Sequence, residues 1–164
     1  MIVNKETKVV KDIANKRLVV VREFDAPLEQ VWHAWTDSKL LDLWWAPRPW
    51  KTETKKMDFR EGGAWLYSMV GPDDARHWCR VDYRTINKPK SFTSDDAFCD
   101  ENGKVDSTFP SMHWKNDFIE TNAGTKVKVE ISFDKEEDIQ KILELGFEEG
   151  FTMALGNLDE LLEK

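Results

Sequence analysis

Apolar positions along this chain change rhythm twice, and each change marks a change of secondary structure. Between Lys16 and Phe24 the β-branched run Leu18-Val19-Val20-Val21 predicts a strand. Asp25-Ala26-Pro27 then turns the chain into a helix that opens on proline, with Leu28, Val31, Trp32 and Trp35 at i, i+3, i+4 and i+7. Asp37 or Ser38 can cap a second short helix whose Leu40, Leu41 and Trp44 share a face, and Pro47 and Pro49 stop it. From Lys51 to Phe133 the rhythm becomes alternation broken by turns, which predicts about six further strands: 51–59, 64–70, 77–86, 91–99, 112–120 and 125–133. Their connections carry Gly62-Gly63, Gly71-Pro72-Asp73-Asp74, Asn87-Lys88-Pro89, Asp100-Glu101-Asn102-Gly103 and Asn122-Ala123-Gly124, residues that hairpin turns require. Beyond Phe133 the pattern is helical, with a break at Gly146. Phe147, Phe151, Ala154, Leu155, Leu158, Leu161 and Leu162 then line one face of a long final helix.

This order predicts an α+β domain over residues 16–164, preceded by a peripheral extension over residues 1–15. A curved antiparallel sheet of about seven strands wraps around the long C-terminal helix, with two short helices after the first strand. A helix laid across a curved sheet leaves a wedge, so an internal cavity is a natural outcome of the architecture.

Charge and composition narrow the partners. Lys and Arg number 24 against 31 Asp and Glu, a formal net charge of −7. That sign opposes a non-specific grip on nucleic-acid phosphates or anionic lipid. No run approaches the roughly 20 apolar residues of a membrane span, and the N-terminus lacks an apolar leader core, which places the protein in the cytoplasm. Cys79 and Cys99 form no Cys-x-x-Cys pair, so they read as two buried free thiols, with no metal and no cofactor implied. The exceptional feature is tryptophan, present eight times. Large aromatics fill either a core or a ligand cavity.

Several blocks together resemble a known group. They are Val21-Arg22-Glu23-Phe24-Asp25-Ala26-Pro27 leading to Val31-Trp32-His33-Ala34-Trp35-Thr36; Leu43-Trp44-Trp45; Phe59-Arg60-Glu61-Gly62-Gly63-Ala64-Trp65; and the stretch from Gly146-Phe147 to Leu162. Over about residues 16 to 163 the sequence is similar to the START-like or SRPBCC superfamily, and within it to the homologues of the activator of heat-shock-protein-90 ATPase. The resemblance implies the helix-grip fold. It leaves function open, because such scaffolds host carriers, cyclases and cochaperone modules.

Strand parity nominates the residues that face the cavity. Trp65, Tyr67 and Met69 form the heavier set of their strand. Phe92, Ser94, Asp96 and Phe98 share a face, as do Met112, Trp114, Asn116 and Phe118. In the strand 77–86 the apolar set Cys79, Val81 and Tyr83 is the expected inward one, while the opposite register would bring Arg80 and Asp82 inside. With Trp45, Phe151 and Leu155 these give the candidate ligand-binding set: Trp45, Trp65, Tyr67, Met69, Val81, Tyr83, Asp96, Phe98, Trp114, Phe118, Phe151 and Leu155. Ordinary core packing is the competing explanation for each apolar member. For Asp96 it is a solvated carboxylate near a turn; burial would instead raise its pKa and equip it as an acid or base.

His33, His77 and His113 all fall on expected exposed positions, and no nucleophilic triad, zinc motif or phosphate loop can be assembled. No catalytic residue is therefore nominated. The carboxylates of Asp134-Lys135-Glu136-Glu137-Asp138 read as helix-start charges. Three functions follow: a non-catalytic carrier or sensor of a small hydrophobic or aromatic molecule; a cyclase-, aromatase- or hydrolase-type enzyme whose minimal equipment would be a buried Asp96 paired with Arg80; and a chaperone-interacting stress-response module. The chain is nearly consumed by one domain, which leaves no room for the additional N-terminal domain of the eukaryotic activators.

Overall fold

The structure, a computed structural model, describes residues 6–163; the first five residues of the expected extension and residue 164 lie outside the described residues. Twelve elements follow in chain order: β1 (Lys8–Asp12), β2 (Arg17–Phe24), α1 (Leu28–Thr36), α2 (Ser38–Trp44), β3 (Lys51–Met57), β4 (Ala64–Val70), β5 (Arg76–Asn87), β6 (Ser91–Cys99), β7 (Met112–Glu120), β8 (Thr125–Ser132), α3 (Glu136–Glu144) and α4 (Phe147–Leu162). The strands form one antiparallel sheet in the order β1-β2-β8-β7-β6-β5-β4-β3. Strands β3 to β8 are a simple meander, and β2 closes against β8 because the two short helices carry the chain across the sheet between β2 and β3. This is the helix-grip α+β fold. The sheet has eight strands rather than about seven: Lys8–Asp12 pairs with β2, from Lys8 opposite Val21 to Asp12 opposite Arg17. It is an outer strand that carries Lys8, Lys11 and Asp12, and Val10 is exposed, so its weak apolar signal suits an edge.

Alternation is strictest where the sheet is covered on one side only. In β2, Leu18, Val20, Arg22 and Phe24 are buried, while Val19, Val21 and Glu23 are only partly so. Thr125, Val127, Val129 and Ile131 of β8 and Met112, Trp114, Asn116 and Phe118 of β7 fill the same concave face. Strand β5 buries Cys79, Val81 and Tyr83. Its register keeps Arg80 and Asp82 out of the core, half-buried and joined to each other by a two-pronged ion pair at 2.9 and 2.6 Å.

The turn between β3 and β4 depends on its glycines. Gly62 has φ +84°, a left-handed conformation that disfavours side chains, and a β-carbon on Gly63 would lie 2.1 Å from the Asp58 carbonyl oxygen. The two glycines also bond to Tyr83, through Gly62 N–H to its carbonyl and through Tyr83 N–H to the Gly63 carbonyl. Gly146, at φ +87°, separates α3 from α4. Glu136, Glu137 and Asp138 occupy the first turn of α3, where the helix dipole favours them.

Helix α4 crosses the concave face and is clamped at its far half. Asn157 Nδ2 donates to the Ala46 carbonyl at 3.1 Å and the Trp44 carbonyl at 3.4 Å, and buried Arg22 of β2 is ion-paired with Asp159. Leu155 and Leu158 of this half are fully buried.

Candidate functional site

The near half of α4 covers the sheet less tightly. Between it and strands β4 to β7 lies an open cleft of about 600 Å³, within the range typical of small-molecule sites. Its sheet wall carries Tyr67, Met69, Cys79, Asp96, Phe98, Met112 and Trp114; its helix wall carries Ile142, Leu145, Phe147 and Phe151; Trp45 and Trp50 enter from the segment after α2, and Phe109 from the loop after β6. Behind it lies a second, small void of about 20 Å³, lined by Trp35, Leu41, Trp45, Trp65, Val81, Tyr83, Phe92, Ser94, Asp96, Trp114 and Asn116. Trp45, Asp96 and Trp114 line both and form the partition between them.

Trp45 holds its place through polar and aromatic contacts together. Its indole N–H donates to Tyr67 Oη at 2.9 Å, and its ring lies 5.7 Å from Trp65 and 5.9 Å from both Trp114 and Phe151. Tyr67 is stacked on Trp65 at 4.0 Å. Trp65 is fixed in turn by donating to Thr54 Oγ1 at 3.0 Å, whose hydroxyl donates to Asp42 Oδ1 at 2.6 Å. Burial holds the Tyr67 phenol protonated well above its usual range, with the Cys79 and Asp96 charges adding to the effect. Cys79 itself is pushed up to about 12 by burial.

Asp96 is the site's singular group. It faces inward from the middle of β6, accepts a hydrogen bond from Ser94 Oγ at 2.8 Å, and is buried. Loss of water raises its pKa to about 8; Asp95 and Asp82 add to the rise, whereas the Ser94 bond and His113 oppose it. At neutral pH it is therefore a carboxylic acid that can donate a hydrogen bond. Arg80 is not its partner, being committed to Asp82 and to the Gly103 carbonyl at 2.8 Å, so the Asp96–Arg80 pairing considered from sequence does not form.

The nominated residues divide three ways. Trp45, Tyr67, Met69, Asp96, Phe98, Trp114 and Phe151 line the cleft; Trp65, Val81 and Tyr83 line the inner void. Phe118 and Leu155 line neither and stand in the packed core, Phe118 with its ring 5.1 Å from Trp32 and 5.7 Å from Trp35. Sequence reasoning missed Phe109 and Trp50, which belong to irregular segments without periodicity. It also left Phe147 outside the nominated set, although the apolar stripe of α4 included it. Cys99 is only partly buried, in contrast to Cys79, and both thiols are free. Among the described residues no cluster of His, Cys, Asp and Glu could hold a metal ion, and no helix is long and apolar enough to cross a membrane.

The fold and the wedge-shaped cleft define a START-like, SRPBCC-type domain. Residues 25–163 match the Activator of Hsp90 ATPase homolog 1-like protein family, and the chain belongs to that family. Among solved structures, a protein from Arthrobacter aurescens is 31% identical, with 95% of this chain and 91% of that one aligned at a TM-score of 0.90. A protein from Mycobacterium smegmatis is 27% identical over 96% of this chain and 97% of its own, with a TM-score of 0.89. One from Staphylococcus epidermidis, at 24% identity with 95% and 93% covered and a TM-score of 0.83, shares the fold. No curated protein matches.

Proposed function

We propose that the protein binds a small hydrophobic or aromatic molecule in the cleft between the sheet and α4, without turning it over, as a cytoplasmic carrier or sensor. The observation that carries this reading is the cleft of about 600 Å³, lined mostly by apolar and aromatic side chains, with Arg76, His77, Arg80, Asp96 and Asp106 among the polar ones. Such a surface left facing water costs about 25 cal/mol for each Å² that a ligand could cover. The test is titration with the uncharged fluorescent hydrophobe N-phenyl-1-naphthylamine. Saturable one-to-one binding is expected, weakened at least fivefold by Phe151→Trp, which fills the space. Absence of saturable binding would end this reading and move the chaperone-interaction module, which the family name carries, to the front.

Asp96 favours a second reading. A carboxyl group that keeps its proton to about pH 8 in a ligand cleft can exchange it with a bound substrate, as a cyclase-, aromatase- or hydrolase-type enzyme requires. Ligand recovered chemically unchanged after prolonged incubation, in the wild type and in Asp96→Asn alike, separates carrier from enzyme.

A further inference from the structure

Three buried polar atoms on residues that line the inner void have no hydrogen-bond partner among the described residues: Trp35 Nε1, Trp114 Nε1 and Asn116 Oδ1. Their side chains come from α1 and from β7, yet all three line the same void of about 20 Å³. Trp35 is 3% exposed, Trp114 5% and Asn116 2%, so bulk water does not satisfy them. Leaving such groups unpaired is destabilising, a cost that a merely structural core avoids by using phenylalanine and leucine. The void has room for a single water-sized group.

We propose that this void is the inner subsite of the cleft and receives one hydroxyl group, so that the ligand is an apolar or aromatic body ending in an uncharged alcohol or phenol. The inference rests on the binding function proposed above and specifies its ligand class. Hydrogen-bond valence makes the selection. Two indole N–H groups can only donate, and the Asn116 oxygen can only accept. A hydroxyl accepts twice and donates once, matching all three. A ketone oxygen would leave Asn116 unpaired, and an ammonium would leave both indoles unpaired. A carboxylate, which only accepts, would likewise leave Asn116 unpaired, and no basic side chain lines the void to offset its charge. Because Trp45, Asp96 and Trp114 border both spaces, the hydroxyl end passes between them while the apolar body stays among Phe147, Phe151 and Met69.

The experiment compares 4-propylphenol with propylbenzene by isothermal titration calorimetry at pH 7, using the full chain. Removing a hydroxyl from water disfavours the phenol in an apolar site, so a preference for it reports hydrogen bonds made inside. The wild type is expected to bind the phenol at least tenfold more tightly. That ratio should fall to within about twofold in Trp114→Phe, which keeps an aromatic ring and loses only the donor, and in Asn116→Leu. Thermal melts establish that both variants fold; Trp114→Phe alone suffices if the leucine variant does not. Equal or reversed affinities in the wild type would overturn the hydroxyl subsite, the void then holding a water in both complexes, and so would a ratio unchanged in Trp114→Phe. If N-phenyl-1-naphthylamine binds while the phenol shows no advantage, only the subsite fails; if none of the three compounds binds, the binding function itself fails.

Discussion

The two halves of the concave face use the same aromatic residues to opposite ends. Under α1, Trp32 meets Phe59, Phe92 and Phe118 edge-on at 6.0, 5.8 and 5.1 Å, and Phe59 meets Tyr83 at 4.7 Å. That half is closed. Under the start of α4, Trp114 meets Phe147 and Phe151 at 6.1 and 5.6 Å, but Tyr67, Met69 and Phe98 look into the cleft instead of into another layer. Ring-to-ring spacing is alike in both halves. The difference lies in the cover: α1 docks its whole apolar stripe, whereas α4 brings Gly146 and Gly150 to the cleft, positions with no side chain to fill it. Aromatic abundance alone therefore reports neither core nor site; the residues opposite it decide.

The contrast can be broken most forcefully at Trp32. Trp32→Ala should cost about 3–5 kcal/mol in denaturant unfolding, because the closed half leaves a cavity that cannot collapse. A loss below about 1 kcal/mol would show the two halves to be equally loose. Asp96 comes next, with a sign fixed by its raised pKa. Its proton is held up to about pH 8 in the folded chain against an ordinary value of 3.8. The native state therefore loses stability as pH rises from about 4 to 8, while the unfolded chain sheds its proton and the folded one does not. Asp96→Asn should gain on the wild type across this window, by on the order of a few kcal/mol between pH 4 and pH 9. Parallel pH–stability curves would mean that Asp96 is hydrated.

Phe98→Ala sharpens the comparison from the open side. Its ring is only partly buried and packs on Phe109 at 5.0 Å, so a cost of about 1–2 kcal/mol is expected, well short of that at Trp32. The smallest effect belongs to the outer surface, where His113 bridges Asp95 at 2.7 Å and Asp134 at 3.2 Å. These partners, Asp95 first, raise its pKa. Its contribution is complete below about pH 6.5 and disappears as pH rises through the folded value; for so exposed a side chain it amounts to under about 1 kcal/mol. His113→Gln should flatten the melting-temperature profile slightly there and leave cleft binding unchanged.

Much of this arrangement was legible in the sequence because burial on one face forces alternation. The parity of β5 placed Cys79, Val81 and Tyr83 inside, and that of β6 placed Asp96 beside Phe92 and Phe98. What could not be read was whether Asp96 was dry, since a carboxylate on an apolar face depends on what covers the strand, and that cover comes from α4 and Trp45, far away in sequence. Val9 and Val10 gave too short a signal for β1, which has a neighbour on one side only. Ser94 and Asn116 were visible as polar interruptions of apolar faces, but nothing local says that their surroundings join Trp35 from another element.

Helix α4 is anchored most deeply at one end. Its buried polar anchors, Asn157 to the Trp44 and Ala46 carbonyls and Asp159 to Arg22, lie in its second half, while the first half begins at a left-handed glycine and carries the partly exposed Lys11–Glu148 ion pair at 2.7 Å. At 1.5 Å per residue, Phe147 stands about 15 Å from the Asn157 fulcrum. A tilt of about 5° would therefore sweep the Phe147 end through roughly 1.3 Å, and the anchored end would hardly move. Such a tilt would change the width of the cleft by leverage instead of by repacking the sheet.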